Sequence, residues 1–413
     1  MIYELDFIGA YSCLLASGFP ILIYFLHKLQ LKKTNIYITI FFLILSTYLQ
    51  SRLMFVSIIL VFAYFYFNSK LTKVKLLICC ISLLLLLLVL KQNSVIGRFF
   101  IWKIILSNIS QTPFMGFGLN SFKYIYSEWQ SNYFKSNTQW DIYHFVADSP
   151  SYAYNEFINY YIELGIGFIF IIAIVIYVNI TIFNKSSIDF VKAVILSNFV
   201  ILLFSLFSYP LHIFGVLLLF LLNHTIIFFL SFKKIRMITC SISVLSMTLM
   251  IVSFIKYKGA KANWNYSKTI PTSYQSDKLN FLNSALSELD QNQYFLFDYA
   301  LTLKKAGYIN ELYTFINKYN KGFNQYEKNL LLGELFLKKN NYLVAILYFE
   351  KAHKIIPNRF LPIYNLMNIA INEKKYAKAI EYSKLITSMP IKVKSNLVTF
   401  IIDQAENLQT RSF

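Results

Sequence analysis

Eight stretches of this chain, residues 7–26, 34–50, 52–68, 74–90, 164–183, 190–207, 211–230 and 237–255, are nearly free of charge. Each approaches the roughly 20 apolar residues that a helix needs to cross the hydrocarbon core of a bilayer. In lipid every backbone N–H and C=O must be paired within the segment, so such stretches have to be helices. Composition agrees: 57% of the 413 residues are apolar and only 14% charged, where soluble domains carry about 25% charge. A purely soluble chain is excluded.

The basic residues fix an orientation. Lys28, Lys32 and Lys33, then Lys70, Lys73 and Lys75, then Lys185 and Lys192, then Lys233, Lys234 and Arg236 occupy every second connection. Excess Lys and Arg marks the cytoplasmic side. The connections Gln50–Arg52 and Ser208–His212, the 91–156 loop, the N-terminus and everything after 256 are therefore expected outside, because long translocated domains escape the charge rule. The formal net charge of +19 reads as topology anchoring, and no nucleic-acid partner is expected. Met1–Asp6 carries Glu4 and Asp6 in place of a basic leader, so no cleavable signal peptide is expected. Cys13, Cys79, Cys80 and Cys240 fall inside apolar runs, where a thiol acts as a small hydrophobe; neither a disulfide framework nor a zinc site follows.

After residue 256 the pattern changes. Tyr308, Tyr342 and Tyr376 recur every 34 residues. The clearest copy spans 326–359, where Leu332, Gly333, Phe336, Tyr342, Ala345, Phe349, Ala352 and Pro357 occupy the packing positions of a tetratricopeptide repeat. Neighbouring copies span 360–393 and 292–325, and 394–409 reads as a capping helix. The expected fold is all-α: a polytopic membrane domain (1–256, with about eight spanning helices), a linker (257–279), and a tetratricopeptide-like α-solenoid (280–413) on the periplasmic side.

The familiar catalytic motifs are absent from the sequence: it has no Walker A loop, no HExxH and no CxxC. Gly116-Phe117-Gly118 lacks the third glycine and the preceding strand of a dinucleotide site, so it reads as a turn. No metal and no cofactor are expected. His27, His212, His224 and His353 read as helix-end or packing residues. The outward loop is too aromatic for a linker, and a loop of that length is usually functional. Within it Arg98 and Trp102 lie four apart, hence on one helix face, in a segment (Val95–Ile109) suited to lying flat in the membrane interface.

These residues resemble a family. Ser51-Arg52 opening a membrane helix, Gly97-Arg98 followed by Trp102, Pro113 with Gly116, Gly118 and Phe122, and Asn155 with Glu163-Leu164-Gly165-Ile166-Gly167 are similar in order to the characteristic region of the bacterial O-antigen ligase and O-antigen polymerase superfamily. The likeness covers roughly residues 5–183. It differs in one respect from the ligase pattern, which has histidine directly before the asparagine, where this chain has Tyr154. Family members usually carry further membrane helices upstream, and the chain is expected to lack these.

The resemblance implies a multi-pass enzyme of the bacterial inner membrane. It would transfer a glycan from undecaprenyl diphosphate to an acceptor hydroxyl without a metal, the acceptor being lipid A core, a growing polysaccharide or a protein. Its expected catalytic residues are Arg98 and Arg52 as cations for the leaving diphosphate, with Asp148, His144 and Glu156 as candidate bases, Asp148 first. Trp102, Gly116, Gly118, Tyr154, Asn155 and Glu163 are the expected substrate-binding residues. Expected partners are the lipid-linked glycan, the acceptor, membrane lipids and a protein docked on the repeats. A scaffold without catalysis, in which the helices merely anchor the repeats, is the alternative.

Overall fold

In the computed structural model, structure is described for residues 2–67, 92–232, 236–271 and 273–410. The expected span 74–90, Lys70, Lys73, Lys75, Lys233, Lys234, Cys79 and Cys80 lie outside the described residues. Among the described residues every regular element is helical.

The chain opens with α1 (Ile2–Lys28), α2 (Lys32–Tyr48) and α3 (Arg52–Tyr66). Next come α4 (Gln92–Asn108), α5 (Phe122–Ser136), α6 (Ile142–Val146) and α7 (Glu156–Leu164). The longer helices α8 (Ile166–Lys185), α9 (Asp189–Ser205), α10 (Phe214–Ser231) and α11 (Arg236–Ser267) follow. The remainder is α12 (Gln275–Leu289), α13 (Gln293–Ala306), α14 (Ile309–Lys318), α15 (Gln325–Lys338), α16 (Tyr342–Ile355), α17 (Phe360–Asn372), α18 (Tyr376–Ser388) and α19 (Asn396–Gln409). Two compact units result: Met1–Val95 with Pro113–Gly116 and Tyr152–Phe254, and Ile96–Thr112 with Phe117–Ser151 and Ile255–Phe413.

In the first unit α1 is the central helix. Cys13, Ala16, Phe19 and Ile23 form a stripe at helical spacing that is almost fully buried, and α1 packs on α2, α3, α9 and α10. The described parts of the other seven expected spans are largely helical. Three of these helices, Ile166–Lys185, Phe214–Ser231 and the Cys240–Ser267 part of α11, are long and apolar enough to cross a membrane. By contrast α2 and α9 have 17 residues each and α3 has 15, about 25 Å or less at 1.5 Å per residue, which is short of a full crossing. Phe170, Ile171, Ile174 and Tyr177 of α8 are exposed, the outward apolar face that a lipid environment would cover.

Aromatic contacts establish which helix ends meet. Tyr24 and Phe25 pack on Phe190 (ring centroids 5.5 and 5.6 Å), His27 on Tyr66 (5.8 Å) and Tyr64 on Phe183 (5.6 Å). Lys28, Lys32, Lys185 and Lys192 thus gather at one end of the bundle. Arg52, Leu206 and His212 belong to the other. Between the ends, α8, α9 and α10 share a polar network: Asn223 Nδ2 donates to Ser197 Oγ and Asn198 Oδ1 (2.9 Å each), Asn198 Nδ2 donates to Asn179 Oδ1 (3.4 Å), and Asn179 Nδ2 lies 3.1 Å from His224 Nε2.

Of the expected loop 91–156, the Ile96–Thr112 and Phe117–Ser151 parts belong to the second unit and are largely helical, and Phe117–Ser151 packs with the C-terminal helices. Phe100, Ile104 and Ile105 of α4 are buried, with Phe100 stacked on Tyr143 and tilted against Phe134. Phe99 and Leu106 of the same helix stay exposed, so only part of the apolar surface of the segment expected to enter the membrane interface is covered by protein. Asn358 Nδ2 donates to the carbonyls of His144, Phe145 and Ala147 (2.9, 3.0 and 2.9 Å), and Lys123 Nζ to that of Gln291 (2.7 Å). The expected linker 257–279 also differs. α11 continues to Ser267 because Ala260 and Trp264 are buried in this unit's core, with Trp264 Nε1 donating to Asp298 Oδ2 (2.9 Å).

Helices α12 to α19 pack each on the next. Asn292, Asn324 and Asn341 cap α13, α15 and α16 with their side-chain oxygens. Gly333 of α15 lies against the ring of Phe349 in α16 so closely that a Cβ there would come within 2.6 Å of it.

Candidate functional site

In the first unit the candidate residues converge around α7. Asn155 caps this helix: its Oδ1 accepts from Ile158 N (3.0 Å), while its Nδ2 donates to Leu206 O (3.1 Å), so one side chain starts α7 and ties it to the end of α9. Tyr154, just before it, has a left-handed backbone (φ 52°) that brings its ring against Tyr209 (5.8 Å).

Glu156 is 1% exposed. Its Oε1 accepts from Leu211 N (2.7 Å), and its Oε2 lies 3.0 Å from His212 Nδ1, an ion-pair contact rather than an aligned hydrogen bond. The imidazole is clamped between rings, parallel to Tyr160 (5.1 Å, 10°) and tilted on Tyr152 (4.3 Å). Tyr152 also stacks on Tyr209 (4.6 Å). Burial pushes the Tyr160 phenol up, and the Glu156 and Glu163 carboxylates add to that, so it stays a neutral hydroxyl.

Glu163 is buried in the last turn of α7. Past it, Gly165 (φ 68°) and Gly116 (φ 71°) bring two backbones together, with Ile166 N donating to Phe114 O (3.1 Å). The turn Pro113–Gly116 is thereby locked to the α7–α8 junction. Arg52 stands half-buried at the first turn of α3, started by Ser51, whose Oγ accepts from Met54 N (3.4 Å). It makes no ion pair among the described residues.

The second unit holds Arg98, Trp102, Gly118, His144 and Asp148. Arg98 and Trp102 are half-buried one turn apart on α4, and Trp102 meets Phe99 edge-on (5.6 Å). Gly118 has φ 95° and open space around it. His144 is 4% exposed and both ring nitrogens are engaged, Nδ1 at 2.7 Å from Asp141 Oδ1 and Nε2 at 3.1 Å from Asn137 O. Burial opposes ionisation of Asp141, yet the hydrogen bonds from His144 outweigh it and hold the carboxyl below its ordinary value. His144 is thus built into a capping box.

Asp148 is exposed; its Oδ1 accepts from Ser149 N (2.9 Å) and lies 3.9 Å from the Arg359 guanidinium. Next to this pair, burial pushes Glu327 up to about 7 against the opposing pull of Arg359. No group of His, Cys, Asp and Glu among the described residues is arranged to hold a metal ion.

The structure thus brings Gly116, Tyr154, Asn155, Glu156 and Glu163 together and places Arg52 at the same end of that unit. Arg98, Trp102, Gly118, His144 and Asp148 belong to the second unit. Sequence reasoning missed His212, together with the rings of Tyr152, Tyr160 and Tyr209 that hold it. The available signal was weak: a Tyr-Pro-Leu-His run in a short connection between two apolar stretches.

Residues 15–172 match the family model of the O-antigen ligase. No curated protein matches the chain, and no solved structure does. The matched segment runs from α1 into α8, so it contains Arg52, Arg98, Gly116 and all of α7 but neither His212 nor the helices after α11. Over residues 15–172 the chain is similar to O-antigen ligases, a likeness that supports glycosyl transfer of the ligase or polymerase type by a membrane protein.

Proposed function

We propose that the protein is an inner-membrane glycosyltransferase that moves a glycan from undecaprenyl diphosphate to an acceptor hydroxyl on the periplasmic face. The observation that carries this reading is the O-antigen ligase match over residues 15–172, which contains both candidate arginines and the buried carboxylates Glu156 and Glu163. Departure of a diphosphate builds negative charge, and a guanidinium, always ionised and forked, suits its oxygens. Arg52 and Arg98 take that role without a metal. Tyr154, Asn155, Glu163 and the Gly116 turn shape the acceptor side, with Trp102 and Gly118 contributing to donor binding. The acceptor is lipid A core, growing polysaccharide or a protein side chain.

The gathering of Lys28, Lys32, Lys185 and Lys192 at the end opposite Glu156 and His212 supports a periplasmic site, since the basic end faces the cytoplasm. Residues 280–413 are read as tetratricopeptide repeats that dock a protein partner. The Gly333–Phe349 contact and the period of 34 support this.

The test is expression in a Gram-negative strain lacking its own O-antigen ligase, with Arg52→Ala and Arg98→Ala beside the wild type. A hydrogen bond to a charged group contributes about 1.5–3 kcal/mol, so each variant should transfer the strain's lipid-linked glycan roughly ten- to a hundred-fold more slowly. Equal surface glycan and equal donor accumulation in wild type and Arg98→Ala would refute the catalytic reading.

A further inference from the structure

The buried carboxylate of Glu156 has a function that neither the arginines nor the glycine turn explains. One oxygen is held by Leu211 N, and the other faces His212 Nδ1 at 3.0 Å. Stacking on Tyr160 and Tyr152 fixes the plane of the imidazole. A carboxylate facing Nδ1 favours the tautomer with its proton there, which leaves a lone pair on Nε2. Nε2 has no hydrogen-bond partner among the described residues. Nearby, the buried Asn159, one turn on from Glu156, accepts from Ala153 N through Oδ1 (3.2 Å) and keeps an unpartnered Nδ2. A clamped imidazole with a carboxylate behind it has the arrangement of an oriented base.

The other candidate bases are arranged differently. Both ring nitrogens of His144 are engaged in capping. Asp148 is exposed, and its Oδ1 already accepts from Ser149 N (2.9 Å) and lies 3.9 Å from the Arg359 guanidinium. Of the Glu156 oxygens, Oε1 accepts from Leu211 N and Oε2 faces His212 Nδ1.

We propose that His212 is the general base of the transferase, a catalytic residue supplied from outside the family-matched segment, with Glu156 as its positioning residue. This rests on the glycosyl-transfer reading above. The acceptor hydroxyl oxygen forms a bond to the anomeric carbon of the donor sugar while the bond from that carbon to the diphosphate oxygen breaks. The diphosphate leaves with the electron pair, and the hydroxyl proton passes to His212 Nε2. Glu156 stabilises the imidazolium that results. Catalytic contacts of this kind are often misaligned without substrate and tighten when it binds, consistent with a 3.0 Å approach of Glu156 to His212 that is not an aligned hydrogen bond.

The experiment uses membranes from the ligase-deficient strain carrying full-length wild type, His212→Ala, His212→Gln, Glu156→Gln or Arg98→Ala. It measures the initial rate of transfer of the strain's own polyprenyl-linked glycan to lipid A core, with and without added imidazole. His212→Ala should lower kcat roughly a hundred- to ten-thousand-fold with donor KM little changed. Imidazole should restore part of that rate and leave Arg98→Ala unaffected. His212→Gln retains the packing and should be equally slow, while Glu156→Gln should lose roughly ten-fold or more, through loss of orientation. An inactive wild type would sink the transferase reading and this assignment with it. An active wild type matched within two-fold by folded His212→Gln would overturn the base alone, as would a folded His212→Ala that is slow and does not respond to imidazole.

Discussion

Gly116 and Gly165 meet backbone to backbone. A Cβ on Gly165 would lie 2.5 Å from Gly116 N and closer still to the Phe114 carbonyl, and one on Gly116 would lie 2.6 Å from Gly165 N. Both residues also have positive φ, which adds about 1–2 kcal/mol for a residue with a Cβ. The obstacle is backbone, which cannot step aside as a flexible side chain can.

Gly165→Ala and Gly116→Ala should therefore each cost about 3 kcal/mol or more, combining φ strain with overpacking. Gly118→Ala, with φ 95° but open surroundings, should cost only the strain, about 1–2 kcal/mol. Thermal unfolding of the detergent-solubilised protein should show the first two melting below Gly118→Ala. Near-equal melting temperatures would show that the turn is not locked.

Asn155 acts twice, and its two functions separate by substitution. Asn155→Asp keeps an acceptor for Ile158 N but loses the donor to Leu206 O, whereas Asn155→Ala loses both. A lost cap costs about 0.5–2 kcal/mol and a lost hydrogen bond about 1 kcal/mol. Asn155→Asp should be the milder change in stability, yet it too should reduce transfer because α7 is released from the end of α9. Full transfer by Asn155→Asp would place the tether outside the function.

The membrane helices were legible because hydropathy reports directly what lipid requires, and the later helices because Tyr308, Tyr342 and Tyr376 repeat. Residues 117–151 were not. Their buried polar groups Lys123 and Gln130 are satisfied by distant partners, Gln291 O and Ile355 O, and a composition reading counts such groups as surface. The same limit hid His212: Glu156 is on a different connection, and no periodicity links them. Trp264 was absorbed into an expected linker because its burial depends on Asp298 and Phe295, both remote in sequence.

Asn198 is the hub of the network between α8, α9 and α10, bonded to Asn179 and Asn223 and 3.3 Å from His224 Nδ1. Interhelical polar contacts in membranes contribute about 0.6–2 kcal/mol each. Asn198→Leu removes several at once and leaves Asn179 and Asn223 with fewer partners. It should destabilise the bundle by about 2–4 kcal/mol, seen as a lower denaturant midpoint in mixed micelles. Asn223→Ser, which removes fewer contacts, should cost less. A stabilised Asn198→Leu would mean that packing alone specifies this bundle.

Glu327 provides a pH signature in the second unit. Burial raises its carboxyl from 4.5 to about 7 in the fold, with Arg359 opposing and Asp148 adding to the shift. An acid raised in the folded state binds more protons there than in the unfolded state, so its stabilising share is complete below 4.5 and is lost as pH rises through about 7. His353, lowered by burial from 6.5 to about 4, works in the opposite direction between those values, which makes the wild-type profile a composite. Glu327→Gln isolates the carboxyl. It should leave the melting temperature nearly unchanged at about pH 4 and raise it by roughly 2–4 °C at about pH 8, where the ionised carboxylate costs up to about 3 kcal/mol. Arg359→Gln should do the reverse at the higher pH, because the guanidinium is what offsets the buried charge. A Glu327→Gln difference that is the same at both pH values would assign the effect to packing and not to titration.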